Sequence, residues 1–234
     1  MAAPRHEIAL IVGAGPGLSA SLTRLFFRDG MRVAVAARNT EKLAPLCAET
    51  GAQSLACNVV DPDQVARLFE EVEGRLGVPD VVVYNASGRP LRGPLAELVP
   101  AEVEHAVGVS AFGGFLVAQQ AARRMLRKGY GAILFTGASA SVKGYAQSAP
   151  FAMGKFALRG LAQSIARELA PQGIHVAHFV VDGAIRNPGR TEAPDKPDSM
   201  LDPDAIAETY LHALRQPRSA WTWEIELRPW VERF

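Results

Sequence analysis

Ile8-Ala9-Leu10-Ile11-Val12-Gly13-Ala14-Gly15-Pro16-Gly17-Leu18-Ser19 reads as a buried strand, a glycine-rich turn and the opening of a helix, and this stretch decides the fold class. Five consecutive apolar residues suit a strand covered on both faces better than one with a wet side. Glycines let the backbone turn sharply and approach a ligand, while the helix N-terminus presents free N–H groups to negative charge. Gly13, Gly15, Pro16, Gly17 and Leu18 are therefore candidates for cradling the diphosphate of a dinucleotide.

Working outward, further short apolar runs occur at Arg32–Ala36, Gln53–Cys57, Asp80–Tyr84, Ala132–Thr136, Ile174–Val181 and Trp221–Leu227. Helical patterns alternate with them, the longest being Ala101–Lys128 and Phe151–Ala170. Asp61-Pro62 and Asp202-Pro203 each supply a helix cap followed by proline in the first helical position. Strand and helix in repetition predict an α/β fold, a doubly wound parallel sheet of about seven strands with helices on both faces. No repeat or linker interrupts it, so residues 1–234 are expected to form one domain. The proline-, aspartate- and glycine-rich segment from Arg186 to Pro203 follows a strand's carboxyl end, where it serves as a solvated loop or a substrate cover.

With 25 Lys and Arg against 24 Asp and Glu, the net charge gives no broad attraction to nucleic acid or an anionic membrane. Cys47 and Cys57 have no metal-binding or redox spacing, and no metal site is expected. The polar start and strand-length apolar runs fit neither a signal peptide nor a membrane span, so a cytoplasmic protein is expected.

The turn, with three more motifs, resembles the short-chain dehydrogenase/reductase family and its Rossmann fold. Gly13 and Gly17 match the family's glycine fingerprint, whereas Ser19 stands where a third glycine is usual. Asn85-Ala86 match the end of the family's fourth strand, and Asn58-Val59 take the place of the Asp-Val beside adenine. Lys155 and the segment Gly160–Gly173 follow the family's helix and loop. Gly183 and Ile185 occupy the turn beside the nicotinamide, although Gly183 arrives one residue late and Asp182 precedes it. At the end of the second strand Ala37 supplies no carboxylate for ribose hydroxyls, and Arg38 is suited to a 2′-phosphate, which favours NADP(H) over NAD(H).

The resemblance also implies an Asn-Ser-Tyr-Lys catalytic set, and here the chain departs. The tyrosine position, four before Lys155, is Phe151; the serine position is Ala138; the asparagine position is Ser110. Phenylalanine offers no proton, and losing a positioned general acid typically costs roughly 10²–10⁴ in rate. Besides Lys155, Ser139 (with Ser141, beside the vacant serine position) and Tyr145 (on the following loop) are the candidate substitutes, while an iminium acceptor needs no oxygen protonation. Asp182 is a further acid or a satisfied turn residue, and His175 and His178 are expected to pack in the core or at an edge. The tryptophans at 221, 223 and 230 suit a subunit interface or packing on the chain's own sheet.

Two functions follow from these readings. One is an NADP(H)-dependent oxidoreductase acting on a small carbonyl, iminium or other activated substrate. The other is a non-catalytic dinucleotide-binding sensor or scaffold. The resemblance further implies a homodimer or homotetramer.

Overall fold

The computed structural model describes residues 6–88 and 91–232; Met1–Arg5, read above as part of a polar start, lie outside it. Strand β1 (Ile8–Val12) is buried at every position and pairs in parallel with β2 (Arg32–Ala37) on one side and β4 (Val81–Tyr84) on the other. The sheet continues to β3 (Gln53–Ala56) beyond β2, and to β5 (Gly131–Thr136), β6 (Ile174–Val181) and β7 (Glu224–Leu227) beyond β4. The seven strands run in the order β3-β2-β1-β4-β5-β6-β7, all pairs parallel. The chain winds outward from β1 to β3, then crosses back to β4, so the crevice opens at the carboxyl ends of β1 and β4.

Alternate residues of the central strands feed two cores. Leu10, Val12, Val82, Tyr84, Ile133 and Phe135 meet the apolar faces of α3 (Pro62–Arg75), α5 (Gly113–Lys128) and α6 (Ala149–Leu169). Ala9, Ile11, Val81, Val83, Leu134 and Phe179 meet α1 (Leu18–Arg28) and α7 (Pro203–Leu214). This two-sided burial explains why the strands read as unbroken apolar runs. The remaining helices, α2 (Ala44–Thr50) and α4 (Pro100–Val107), are short. Both expected caps form: Asp61 accepts from the backbone N–H groups of Asp63 and Gln64 at 3.0 Å, and Asp202 from that of Asp204 at 2.9 Å.

The structure departs from the expected helix Ala101–Lys128, which divides into α4, a π-helical turn at Gly108–Phe112, and α5. At that turn the buried Tyr84 hydroxyl inserts against the helix and donates to the Val109 carbonyl, the kind of side-chain intrusion that accompanies a π-turn. A Cβ at Gly113 would lie 2.5 Å from that hydroxyl, so the chain can pass there only as glycine. The last strand is also shorter than expected, because Trp221 turns back to stack on His175 (centroids 4.8 Å apart) before pairing begins at Glu224. Trp223 lies beside the Arg159 guanidinium, so these two tryptophans pack on the chain's own framework.

Asp80, buried to 1% exposure, fixes the entrance to the central strands. Its carboxylate accepts from the N–H groups of Glu7 (2.7 Å) and Ile8 (3.0 Å) and pairs with Lys128. Burial pushes this carboxyl up, but Lys128 and the two N–H donors more than offset it and hold it below the usual carboxylate range. Asp80→Ala should therefore cost about 2–4 kcal/mol, since it strands buried donors rather than removing a surface pair. Urea unfolding at neutral pH checks this; an unchanged midpoint would contradict it.

Candidate dinucleotide and substrate cleft

The turn after β1 is locked from three sides. Gly13 adopts φ +89°, and both its N–H and that of Ala14 donate to the Ala36 carbonyl at 2.9 Å. A Cβ at Gly13 would lie 2.3 Å from the Ala86 backbone nitrogen, leaving no space for any other residue. Ser19, in place of the usual third glycine, is buried and useful: its hydroxyl donates to the Gly13 carbonyl (3.1 Å) and accepts from the Asn85 amide (2.7 Å). Helix α1 begins at Gly17 with no side-chain cap and no acidic residue in its first turn, a terminus suited to an anion.

Two hollows share Gly13, Asn85 and Ser87 and together form one groove across the crevice. The wider, about 480 Å³, is bordered by Ala37, Arg38, Asn58, Val59, Asn85 and Ala86. Arg38 is exposed there, and no ion pair engages it among the described residues. The Asn58 backbone is fixed by its N–H donating to the Gln64 side chain at 2.9 Å. The second hollow, about 360 Å³, brings together Gly15, Gly17, Leu18, Lys155, Gly183 and Ile185. Pro16 is exposed at the tip of the turn and lines neither hollow.

Ala138 and Phe151 form part of the second hollow's wall. Lys155 stands beside them at 3% exposure; its ammonium donates to the Thr136 carbonyl at 2.8 Å and lies 5.9 Å from the Phe151 ring centre. Burial pushes this lysine down to about 8. Ser110 is also buried and takes the Gly88 N–H at 3.3 Å, behind the groove.

The other candidates lie apart from both hollows. Ser139 is half-buried in a 3₁₀ turn, and the buried Ser141 hydroxyl accepts from the Ala138 N–H at 3.1 Å. Tyr145 is 47% exposed, with Lys143 at 5.7 Å from its ring. Asp182 is a satisfied turn residue, buried and facing Lys143 (3.3 Å) and Arg228 (3.7 Å). Sequence reasoning missed Asn187 and Arg190, which line the second hollow from the loop after β6. No local signal marks them, because they reach the glycine turn only through the fold. Among the described residues, no group of three or more potential metal ligands converges.

Behind the cleft, His178 is fully buried. Its Nδ1 lies 3.0 Å from Glu224, which Arg159 grips through two hydrogen bonds, and its Nε2 has no partner among the described residues. A Cβ on Gly137 would come within 2.3 Å of Nε2, so that glycine admits the ring against the cleft's rear wall.

The sequence profile of the short chain dehydrogenase family matches residues 7–196. An uncharacterized oxidoreductase of Staphylococcus aureus is 28% identical over 230 residues, which span 95% of this chain and 97% of the relative. The crystal structure of a short-chain dehydrogenase from Rhodopseudomonas palustris superimposes with a TM-score of 0.83 at 34% identity, covering 97% of this chain and all of that one. A metagenomic short-chain oxidoreductase in complex with NADP gives 0.84 at 26% identity, over 97% of this chain and 98% of its own. The chain belongs to the short-chain dehydrogenase family. Its fold is that family's seven-stranded parallel sheet, and among the described residues no helix is long and apolar enough to cross a membrane.

His178 predicts a pH dependence of stability. Desolvation pushes it from 6.5 down to about 4, against the opposing pull of Glu224, with Lys155 and Arg159 adding to the decrease. Between these two values the unfolded chain binds the proton and the folded one does not, so stability falls as pH falls. The loss should reach about 2 kcal/mol by pH 5, with His6 and His175, also lowered by burial, adding to it. Urea midpoints from about pH 7 to 5 test this, and His178→Gln should flatten the slope. An equal slope in that variant would assign the dependence elsewhere.

Proposed function

We propose that this chain is an NADP(H)-dependent oxidoreductase that works without the tyrosine and serine usual in its family. The observation that carries the reading is the company Lys155 keeps: a buried ammonium in the cleft wall, beside Phe151 and Ala138. The groove fits a phosphorylated dinucleotide. Gly13 provides a cradle that a Cβ would fill, Arg38 offers its planar fork to a 2′-phosphate, and Asn58, Val59, Asn85 and Ala86 border the adenosine end. NADP in the complex of the metagenomic relative supports the same choice.

When bound, the reduced nicotinamide supplies a hydride. The chain's residues do the rest: Gly183 and Ile185 border the ring's end of the cleft, and Lys155 holds a ribose hydroxyl. Thr136 takes one of the three ammonium donors, which leaves two for the contents of the cleft. With Phe151 aprotic, Lys155 is the proton-bearing group nearest the reacting atoms, and it donates to the oxygen of a reduced carbonyl. The walls formed by Ala138, Phe151, Val181 and Ile185 favour a small apolar carbonyl, or an iminium that needs no oxygen protonation. Ser139 and Tyr145 would have to act from outside the cleft described, which leaves Lys155 as the favoured donor.

The homo-oligomer is assigned to α5 and α6, where Phe115, Met153 and Phe156, with Phe112 in the π-turn, remain 42–53% exposed. Four exposed large apolar side chains, two of them stacked on each other, suit a second copy of the chain.

Fluorescence titration should give tighter binding of NADPH than NADH, and Arg38→Ala should reduce the preference at least roughly 10-fold. Aldehydes, ketones, quinones and imines are then offered with NADPH. A kcat/KM that declines as pH rises past about 8, where Lys155 of the free protein loses its proton, supports the lysine as donor. A profile flat through that region removes it. Tight binding with no turnover of any acceptor favours the sensor or scaffold.

Restoring the absent groups provides a separate check. Phe151→Tyr with Ala138→Ser should raise carbonyl reduction by roughly 10²-fold, because Lys155 already stands where a phenol would need it. No gain in a folded double variant would show that the cleft holds its acceptor in a different place.

A further inference from the structure

The diphosphate end of the groove has one side-chain cation that the proposed function leaves without a task. Arg190 lines the second hollow together with Gly15, Gly17 and Leu18, although it lies far along the chain from them. Its neighbour Asn187 also faces the turn: a Cβ on Gly17 would sit 3.7 Å from the Asn187 Cβ. We infer that Arg190 is a clamp on the cofactor's diphosphate, holding from the β6–α7 loop the anion that the α1 N-terminus meets from the other side. This inference rests on the NADP(H) reading and adds a residue to it.

The local backbone fixes Arg190 in place. Asn187 and Arg190 exchange both backbone hydrogen bonds, at 3.1 and 2.9 Å, and the Asn187 side chain accepts from the Gly189 N–H at 2.9 Å. This tight turn is tied to the framework. Arg186 bonds Leu201 through the backbone and pairs with Asp202, while Glu192 accepts from the N–H groups of Asp198 (2.8 Å) and Met200 (3.3 Å). Trp230 donates to the Pro197 carbonyl at 3.0 Å. Glu192 and Asp202 are thus engaged, and no carboxylate pairs with Arg190 among the described residues.

Charge then favours the diphosphate as its ligand. Two negative charges meet a helix end worth roughly +0.5 elementary charge. The residues Gly13–Ser19 contain no Lys or Arg, and α1 has no acidic residue in its first turn to compete. Arg38 lies in the other hollow, and the two remaining donors of Lys155 are assigned above to the ribose and the reacting oxygen, beside Phe151 and Ala138. A guanidinium matches the geometry of two phosphate oxygens, so Arg190 supplies the missing partner.

The test measures binding without substrate. Arg190→Gln should weaken NADPH and 2′-phospho-ADP-ribose alike, by roughly 10- to 100-fold, and leave adenosine 2′-phosphate, which has no diphosphate, within about 2-fold. The loss should shrink at high salt, and Arg190→Lys should recover part of it. Arg190 is exposed, and an unchanged melting temperature establishes that the variants fold. Wild-type binding of NADPH with an unaltered constant in Arg190→Gln overturns the clamp alone. An effect confined to KM for an anionic substrate does the same and reassigns Arg190 to that substrate. If the wild-type chain binds none of the three ligands, the NADP(H) reading fails and the clamp with it.

Discussion

The contact of the Gly13 backbone with that of Ala86 sets the shape of the groove. These residues end two adjacent central strands, and their closeness leaves no room for a Cβ at Gly13. Because β1 cannot separate from β4 there, the chain must turn upward and α1 must begin directly over the crevice. The Asn85–Ser19–Gly13 hydrogen bonds then hold the start of that helix from below. A larger residue at position 13 would disturb the strand ends, the turn and the helix together, since each is the support of the next.

A buried lysine needs a reason to remain. Removing an ammonium from water costs several kcal/mol unless partners replace the lost hydration. Lys155 has the Thr136 carbonyl and the flank of Phe151 as its protein partners, and its lowered proton affinity is the mark of incomplete compensation. The cleft's occupant is the natural source of the remaining acceptors. Phe151 sharpens this dependence, because an aromatic hydrocarbon attracts a cation only weakly and offers it no lone pair.

The sequence revealed most where one residue type was forced. Unbroken runs such as Ile8–Val12 report burial on both faces, Asp-Pro pairs report helix starts, and Gly13 reports a backbone with no room beside it. It revealed less where long-range contacts decide. The π-turn at Gly108–Phe112 meets a hydroxyl from β4, and the late start of β7 depends on Trp221 finding His175. Within the site, Gly13, Lys155 and Asn85 were readable because a local motif surrounds each. Arg190 was not, since a loop of proline, glycine and charge looks alike whether it faces solvent or a ligand. Tyr145 shows the converse: proximity along the chain suggested the cleft, and the residue stands half-exposed outside the lining of both hollows.

The cleft's charge is arranged rather than abundant. A chain with net charge +1 exerts little field beyond a Debye length, about 8–10 Å at ordinary ionic strength. Within that reach the groove presents Arg38, the open end of α1, Arg190 and Lys155, with no carboxylate among the residues lining either hollow. A ligand carrying negative charge at two separated points is therefore recognised by short contacts in sequence, not by general attraction. Two of those contacts, Arg190 and Lys155, come from the C-terminal half, while Arg38 and the glycine turn come from the N-terminal half. A ligand spanning them joins both halves of the sheet across the crevice and stabilises the folded state in proportion to its binding. The β6–α7 loop gains most, because its own ties are surface ion pairs and single hydrogen bonds, each worth little in water. A ligand held by Arg190 thus also orders this loop, at whose tight turn that residue sits.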